Sequence, residues 1–334
     1  MPVRSSAPSI VRTLRRIAIG FLVLFFIWKT LSVDLLIFAG VVVAVFLGET
    51  SAIVSRRIHL PYRASFALVV LSLILAAVAV CWFFAQSLIA QFEQLFFLLN
   101  DAATKLQQQF PIEWHRFFTQ SVTSTELSTA FNGLFGVFSS VFFVVGAVIV
   151  VVFFGLYLAA EPGLYERGII SLVPPSHRPK VQDLLTLLGE TLWHWMLGRV
   201  FSIAVIGTTI TAGLWALGIP LPIALGLLAA ILALIPYLGA IASAVPSLLL
   251  AFTIDIQHAA YVLMLYVTIH ILEGYILIPL VQRKASHIPP ALALVGELIM
   301  GLAAGVLGLL LAMPLTAILI ALIRELYVQD VSAD

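Results

Sequence analysis

The chain has 334 residues, 62% of them hydrophobic and 10% charged, with a net charge of +1. A soluble domain carries about a quarter of its residues as charges, because its surface must be solvated. This composition therefore excludes a water-soluble globular protein and predicts an all-α, polytopic transmembrane bundle held in a lipid bilayer. No basic block is interleaved with aromatics, which excludes a nucleic-acid partner.

The N-terminus, "MPVRSSAPSIVRTLRRIAIGFLVLFFIW", imitates a secretory signal but has no small-residue cleavage site. It reads as an uncleaved anchor. The one cysteine, Cys81, excludes an intramolecular disulfide. Crossing ~30 Å of hydrocarbon takes about 20 helical residues. Candidate spans are 14–32, 34–54, 64–90, 133–160 and 198–217, followed by an apolar block from 221 to 324. With that block the expectation is about seven to eight spans, the first two forming a hairpin around Lys29 and Asp34. The chain divides into N-terminal spans and a basic loop (1–90), an external amphipathic segment (91–132), one span (133–160), a cytoplasmic amphipathic segment (161–197) and a C-terminal core (198–334).

Arg and Lys mark the inner side of a membrane protein. Arg4, Arg12, Arg15 and Arg16, then Arg56, Arg57 and Arg63, then Arg167, Arg178, Lys180 and Arg199 fall on one side by span parity. That side is the cytoplasm, which predicts an inner-membrane protein with a cytoplasmic N-terminus. In the outer segment, Leu88, Phe92, Leu95, Phe96, Leu99, Ala103, Leu106 and Phe110 recur at helical spacing, so the third span continues beyond the membrane. In the inner segment Glu161-Pro162-Gly163 ends a span, and 180–197 reads as an amphipathic helix feeding the next one. Trp193 and Trp195 read as interfacial aromatics, with Arg199 snorkelling beside them. Glu190 and His194 stand four apart, but two ligands without a third make a surface pair and no metal site.

Residues 221–254 and 290–323 are apolar stretches whose straight helices would each be about 51 Å long. Both are interrupted: the first at Pro236, Gly239 and Pro246, the second at Gly301, Gly305, Gly308 and Pro314. Each could be one bent span or a broken, re-entrant hairpin. The hairpins leave Arg283, Lys284 and Arg324 inside, where basic residues belong. Carbonyls freed by a broken helix are tolerated in a membrane only inside protein or beside a hydrated cavity. Paired interrupted segments are the best pointer to a transporter's binding site.

Between the two stretches, Tyr266, His270 and Glu273 share one helix face. Glu273 lies deep in its span, where a carboxylate costs a few kcal/mol. With His270 it could carry a proton or contact substrate; the alternative is a pair that bonds two helices. Glu297 is a second candidate of the same kind. The chain contains no G-x-x-x-x-G-K-[ST], H-E-x-x-H or G-x-S-x-G. The expectation is a protein without cofactor, metal or enzymatic activity.

The run "ALIPYLGAIASAVPSLLLAF" and the run from "EGYILIPLVQRKASHIPP" to "IRELYVQD" resemble the autoinducer-2 exporter family of bacterial membrane proteins. The family's I-P-x-x-G matches Ile235, Pro236 and Gly239, and its Glu followed six residues later by Pro matches Glu273 and Pro279. Its G-x-x-G-x-x-x-A-x-P matches Gly305, Gly308, Ala312 and Pro314. Many members have Pro at the place of Ala240, and many lack an acid at Glu297. The resemblance implies a transporter working as a homo-oligomer, plausibly a pentamer. For some members it implies export of autoinducer-2, and for others cation/proton exchange; a non-transporting scaffold is the reading from another class. The expected binding residues are Pro236, Tyr237, Gly239, His270, Glu273, Pro279 and Glu297, with Pro246, Gly301, Gly305, Gly308 and Pro314 at the helix breaks.

Overall fold

A computed structural model describes the backbone of residues 7–109, 141–277 and 289–325, and every regular element among them is a helix. In chain order these are α1 (Ala7–Ile58), α2 (Tyr62–Gln109), α3 (Val141–Ala160), α4 (Pro162–Ser171), a short 3-10 turn (Pro175–His177) and α5 (Arg178–Ala216). They continue as α6 (Pro222–Leu232), α7 (Leu238–Phe252), α8 (Ile256–Leu272) with a π-turn at Glu273–Leu277, and α9 (Pro290–Ile323). Among the described residues, five helices are long and apolar enough to cross a bilayer, or six if the bent pair α3 and α4 counts as one.

The seven to eight spans expected refer to the whole chain; among the described residues α1 departs from that expectation. The two spans anticipated at 14–32 and 34–54 are one continuous helix of 52 residues. At 1.5 Å per residue it is about 78 Å long. The supposed break is satisfied within the helix, because Thr30 Oγ1 donates to Asp34 Oδ2 one turn on, at 2.8 Å. One helix in place of two also removes the parity argument that set the N-terminus beside the 56–63 loop.

The rest of the charge argument has direct contacts behind it. Arg63 Nη2 lies 2.8 Å from Glu161 Oε1, and the Tyr62 hydroxyl donates to the Ala159 carbonyl at 2.6 Å. The basic loop and the 161 segment therefore share one end of the bundle. At that end α3 and α4 meet at 82°, where Pro162 lacks the N–H that would continue the helix. The amphipathic stretch and the next span are one helix, α5, as expected. Trp195, read as an interfacial aromatic, is packed inside the protein. It is 7% exposed in a cluster with Val42 and Leu192, flanked by Met313 and Ile318, while Trp193 sits 5.9 Å from the Phe46 ring.

α2 runs on past the span to Gln109, as the apolar stripe required; residues 110–132 lie outside the described part. This extension is fastened to the C-terminal core. Leu95 joins the largest cluster of buried side chains, with Ile206, Ile210 and Leu214 of α5, Leu225 of α6, Leu250 of α7 and Val262 of α8. Gln91 Oε1 accepts from the Ala224 backbone N–H at 3.2 Å, satisfying one of the donors that a helix start leaves without a partner.

Both interrupted stretches fold back. In the first, α6 and α7 are joined by a turn at 233–237, so close that a Cβ on Gly239 would collide with the Leu232 carbonyl. In the second, Ala304 and Gly305 leave helical geometry, with Gly305 at φ 61° and ψ −141°. Eight residues on a helix axis separate atoms by about 12 Å, and twenty by about 30 Å. Yet a Cβ on Gly301 would lie 2.8 Å from Leu309, and one on Gly296 2.8 Å from Thr316. The arms 290–303 and 306–323 are therefore antiparallel. Pro246 breaks nothing: it sits inside the continuous α7. Beside it, the Tyr266 hydroxyl of α8 donates to the Ser243 carbonyl at 3.1 Å.

Candidate functional site

α5 sets the position of the site. Gly207 and Gly226 let α5 and α6 approach so closely that a Cβ on Gly207 would lie 2.8 Å from Ala230. This antiparallel contact returns the end of α6 to the middle of α5. There the Arg199 Nη1 donates to the Ala233 carbonyl at 3.0 Å, one of the acceptors that a helix end leaves open. The same nitrogen lies 3.6 Å from Glu273 Oε1. The other oxygen, Oε2, is 3.1 Å from His270 Nδ1, and the buried Ser202 hydroxyl stands beside the same carboxylate.

Arg199 is only 5% exposed and Glu273 9%, so the arginine expected to snorkel instead turns inward and pairs. A buried ion pair is kept only when its remaining donors and acceptors are also met, and Ala233, His270 and Ser202 meet most of them. Arg199 was legible in the sequence only as a charge near an interface. The available signal was an acid deep in α8 that needed a cation, and Arg199 lies within the candidate span 198–217.

The shared face of Tyr266, His270 and Glu273 is present. The Tyr266 and His270 rings are 6.2 Å apart, and the Tyr266 hydroxyl is 2.8 Å from Ser247 Oγ. Glu273 begins the π-turn, an irregularity that tends to mark functional positions. Pro236 and Tyr237 form the tip of the first hairpin. Tyr237 has φ 54° and ψ −62°, a conformation that a residue with a side chain holds only under constraint from its surroundings. Tyr237, at the tip of one hairpin, is within electrostatic reach of Glu297 on an arm of the other and of Arg199 and Glu273.

Glu297 comes from the first arm of α9. It is fully buried, and neither carboxylate oxygen has a hydrogen-bond partner among the described residues. Arg199 Nε and His270 Nε2 are in the same condition. Pro279 lies outside the described residues. Gly301, Gly305, Gly308 and Pro314 shape the second hairpin; Gly308 packs against the Met300 carbonyl with no room for a Cβ. Among the described residues no group of three metal-ligating side chains forms. His194 Nδ1 turns to its own helix's Glu190 carbonyl at 2.7 Å, rather than to the Glu190 carboxylate. A cavity of about 840 Å³ runs between α5 and α6 and is lined by Ile203, Gly207, Thr211, Pro222, Gly226 and Ala230. Its lining carries no ionisable side chain and shares no residue with the charged cluster.

Residues 16–327 match the family model described as AI-2E family transporter. Two Bacillus subtilis relatives are named only as transport proteins, with no substrate in the name. YrrI is 27% identical over 201 residues, which cover 60% of this chain and 56% of YrrI. YueF is 26% identical over 205 residues, covering 60% of this chain and 55% of YueF. The chain thus spans a little over half the length of these relatives.

Proposed function

The chain belongs to the AI-2E transporter family and is a multi-pass membrane protein; from that premise we propose that it is a secondary transporter exporting a small polar solute, of which an autoinducer-2-like molecule is one case. The observation that carries the reading is that the turn of one hairpin holds the buried Arg199–Glu273–His270 cluster through the Ala233 carbonyl, while the other hairpin buries Glu297 within electrostatic reach of the same arginine. Broken helices in a membrane need a polar environment for their open backbone groups, and a transporter supplies one as its pathway. Tyr237 and the turn carbonyls at 233–237 contact the solute, and the buried charges couple it to protons. Glu297 favours a second reading, monovalent cation/proton exchange, because a carboxylate without a hydrogen-bond donor suits a bare cation.

The protein sits in the bacterial inner membrane, with the end bearing Arg56, Arg57, Arg63 and Glu161 in the cytoplasm, and works as a homo-oligomer. The test is flux into proteoliposomes of the purified chain, with a panel of small polar solutes and alkali cations at two pH values. Solute flux that follows the proton gradient, and is lost in Arg199→Gln, supports export. Cation-for-proton exchange without solute flux selects the second reading. No flux of any kind makes the chain a scaffold.

A further inference from the structure

The cluster between the hairpins holds two carboxylates and one guanidinium, and their partners are unequally shared. Glu273 has Arg199, His270 and Ser202 around it. Glu297 is buried completely, without a hydrogen bond among the described residues. The groups that face it are Arg199 from α5, already engaged with Ala233 and Glu273, and Tyr237 from the first hairpin. His270 belongs to α8 and points one nitrogen at Glu273. A carboxylate taken out of water with no partner is strongly disfavoured, so a fully buried one is compensated.

We infer that Glu297 carries an exchangeable unit positive charge, a proton or a small alkali cation, while Glu273 is a fixed structural anion held by Arg199. This deepens the transport reading, and rests on it, by dividing the labour between the two acids. Arg199 is the positioning residue. Its Nη1 is held by the Ala233 carbonyl at the hairpin turn, so a movement of that turn changes how much of the guanidinium charge Glu297 feels. When the guanidinium turns toward Glu297, the exchangeable charge is expelled; when it returns to Glu273, the charge is taken up again. Loading of Glu297 is thereby tied to the geometry of the first hairpin, and Glu297 sits on the second.

Infrared spectroscopy of the full chain in liposomes reads this without any flux. In alkali-free buffer at neutral pH the wild type shows a protonated-carboxyl C=O band; Glu297→Gln loses it, whereas the double variant Arg199→Gln/Glu273→Gln, which removes the guanidinium together with its anion, keeps it. Added sodium or lithium that abolishes the band identifies an alkali cation as the competitor, whereas an unchanged band identifies the proton alone. Absence of the band from the wild type, or its survival in Glu297→Gln, overturns the assignment. Should Glu297→Gln fail to fold, a lipid-soluble carbodiimide, which modifies protonated carboxyls, is applied to the wild type and mapped by peptide mass. Label on Glu297 supports the inference; label on Glu273 instead, or on neither, overturns it. A chain that passes this test and moves no solute or ion refutes the transport reading and leaves the site standing.

Discussion

Arg199 changes meaning between the linear chain and the fold. In the sequence it follows Trp193 and Trp195, and a cation beside aromatics reads as interfacial. In the fold it is the cation for an acid far along the chain, a pairing that only tertiary contact creates. Removing one partner of a buried pair strands the other, at about 3–5 kcal/mol. Arg199→Gln is therefore expected to lower stability by that order in detergent unfolding measurements. The double variant Arg199→Gln/Glu273→Gln recovers most of the loss, because neither charge is then left alone. A double variant as unstable as the sum of the singles means the two side chains do not interact. Tyr266 carries a smaller contribution. Tyr266→Phe leaves Ser247 and the Ser243 carbonyl without the hydroxyl, at about 1 kcal/mol in the same measurement. The face shared by Tyr266, His270 and Glu273 was legible because helical spacing alone sets it. Their partners on α5 and α7 were not, because spacing says nothing about which helix lies opposite.

Individual elements divide along the same line. The sites of interruption were visible as Pro and Gly in apolar runs, and two fold-back turns are present. Which residues make each turn was not visible. Pro246 stays inside a continuous helix because a proline removes only one backbone bond. Gly305 makes its turn because its φ of 61° and ψ of −141° suit a residue without a Cβ. Gly305→Ala is expected to cost about 1–3 kcal/mol in unfolding measurements. Leu302, three positions earlier and 91% exposed, serves as the comparison, with Leu302→Ala expected to stay within about 0.5 kcal/mol. Equal effects from the two substitutions would argue against the turn. The long α1 was missed for a related reason: Lys29 and Asp34 look like the end of a span, yet Asp34 is satisfied by Thr30 on its own helix.

At the scale of the whole molecule, the charge pattern correctly joined the 56–63 loop to the 161 segment, and the Arg63 contact with Glu161 realises it. That exposed pair adds about 0–1 kcal/mol, so it reports the topology without holding it. In a Cys81→Ser background, Leu60→Cys and Gly168→Cys are expected to be labelled from one side of the membrane. Gln257→Cys, at the start of α8 beyond both arms of the first hairpin, is expected to be labelled from the other. Labelling of all three from one side would mean that α5 to α7 do not cross as the helices are drawn.

The central claim is that the turn at 233–237 and the turn at 304–305 face a hydrated pathway. Its most direct test is the reaction of single cysteines, again without Cys81, with a membrane-impermeant, water-borne thiol reagent. Ile235→Cys, Tyr237→Cys and Ala304→Cys are predicted to react readily, while Leu263→Cys on the exposed apolar flank of α8 stays unmodified. Turn cysteines as inert as the one at position 263 would contradict the account.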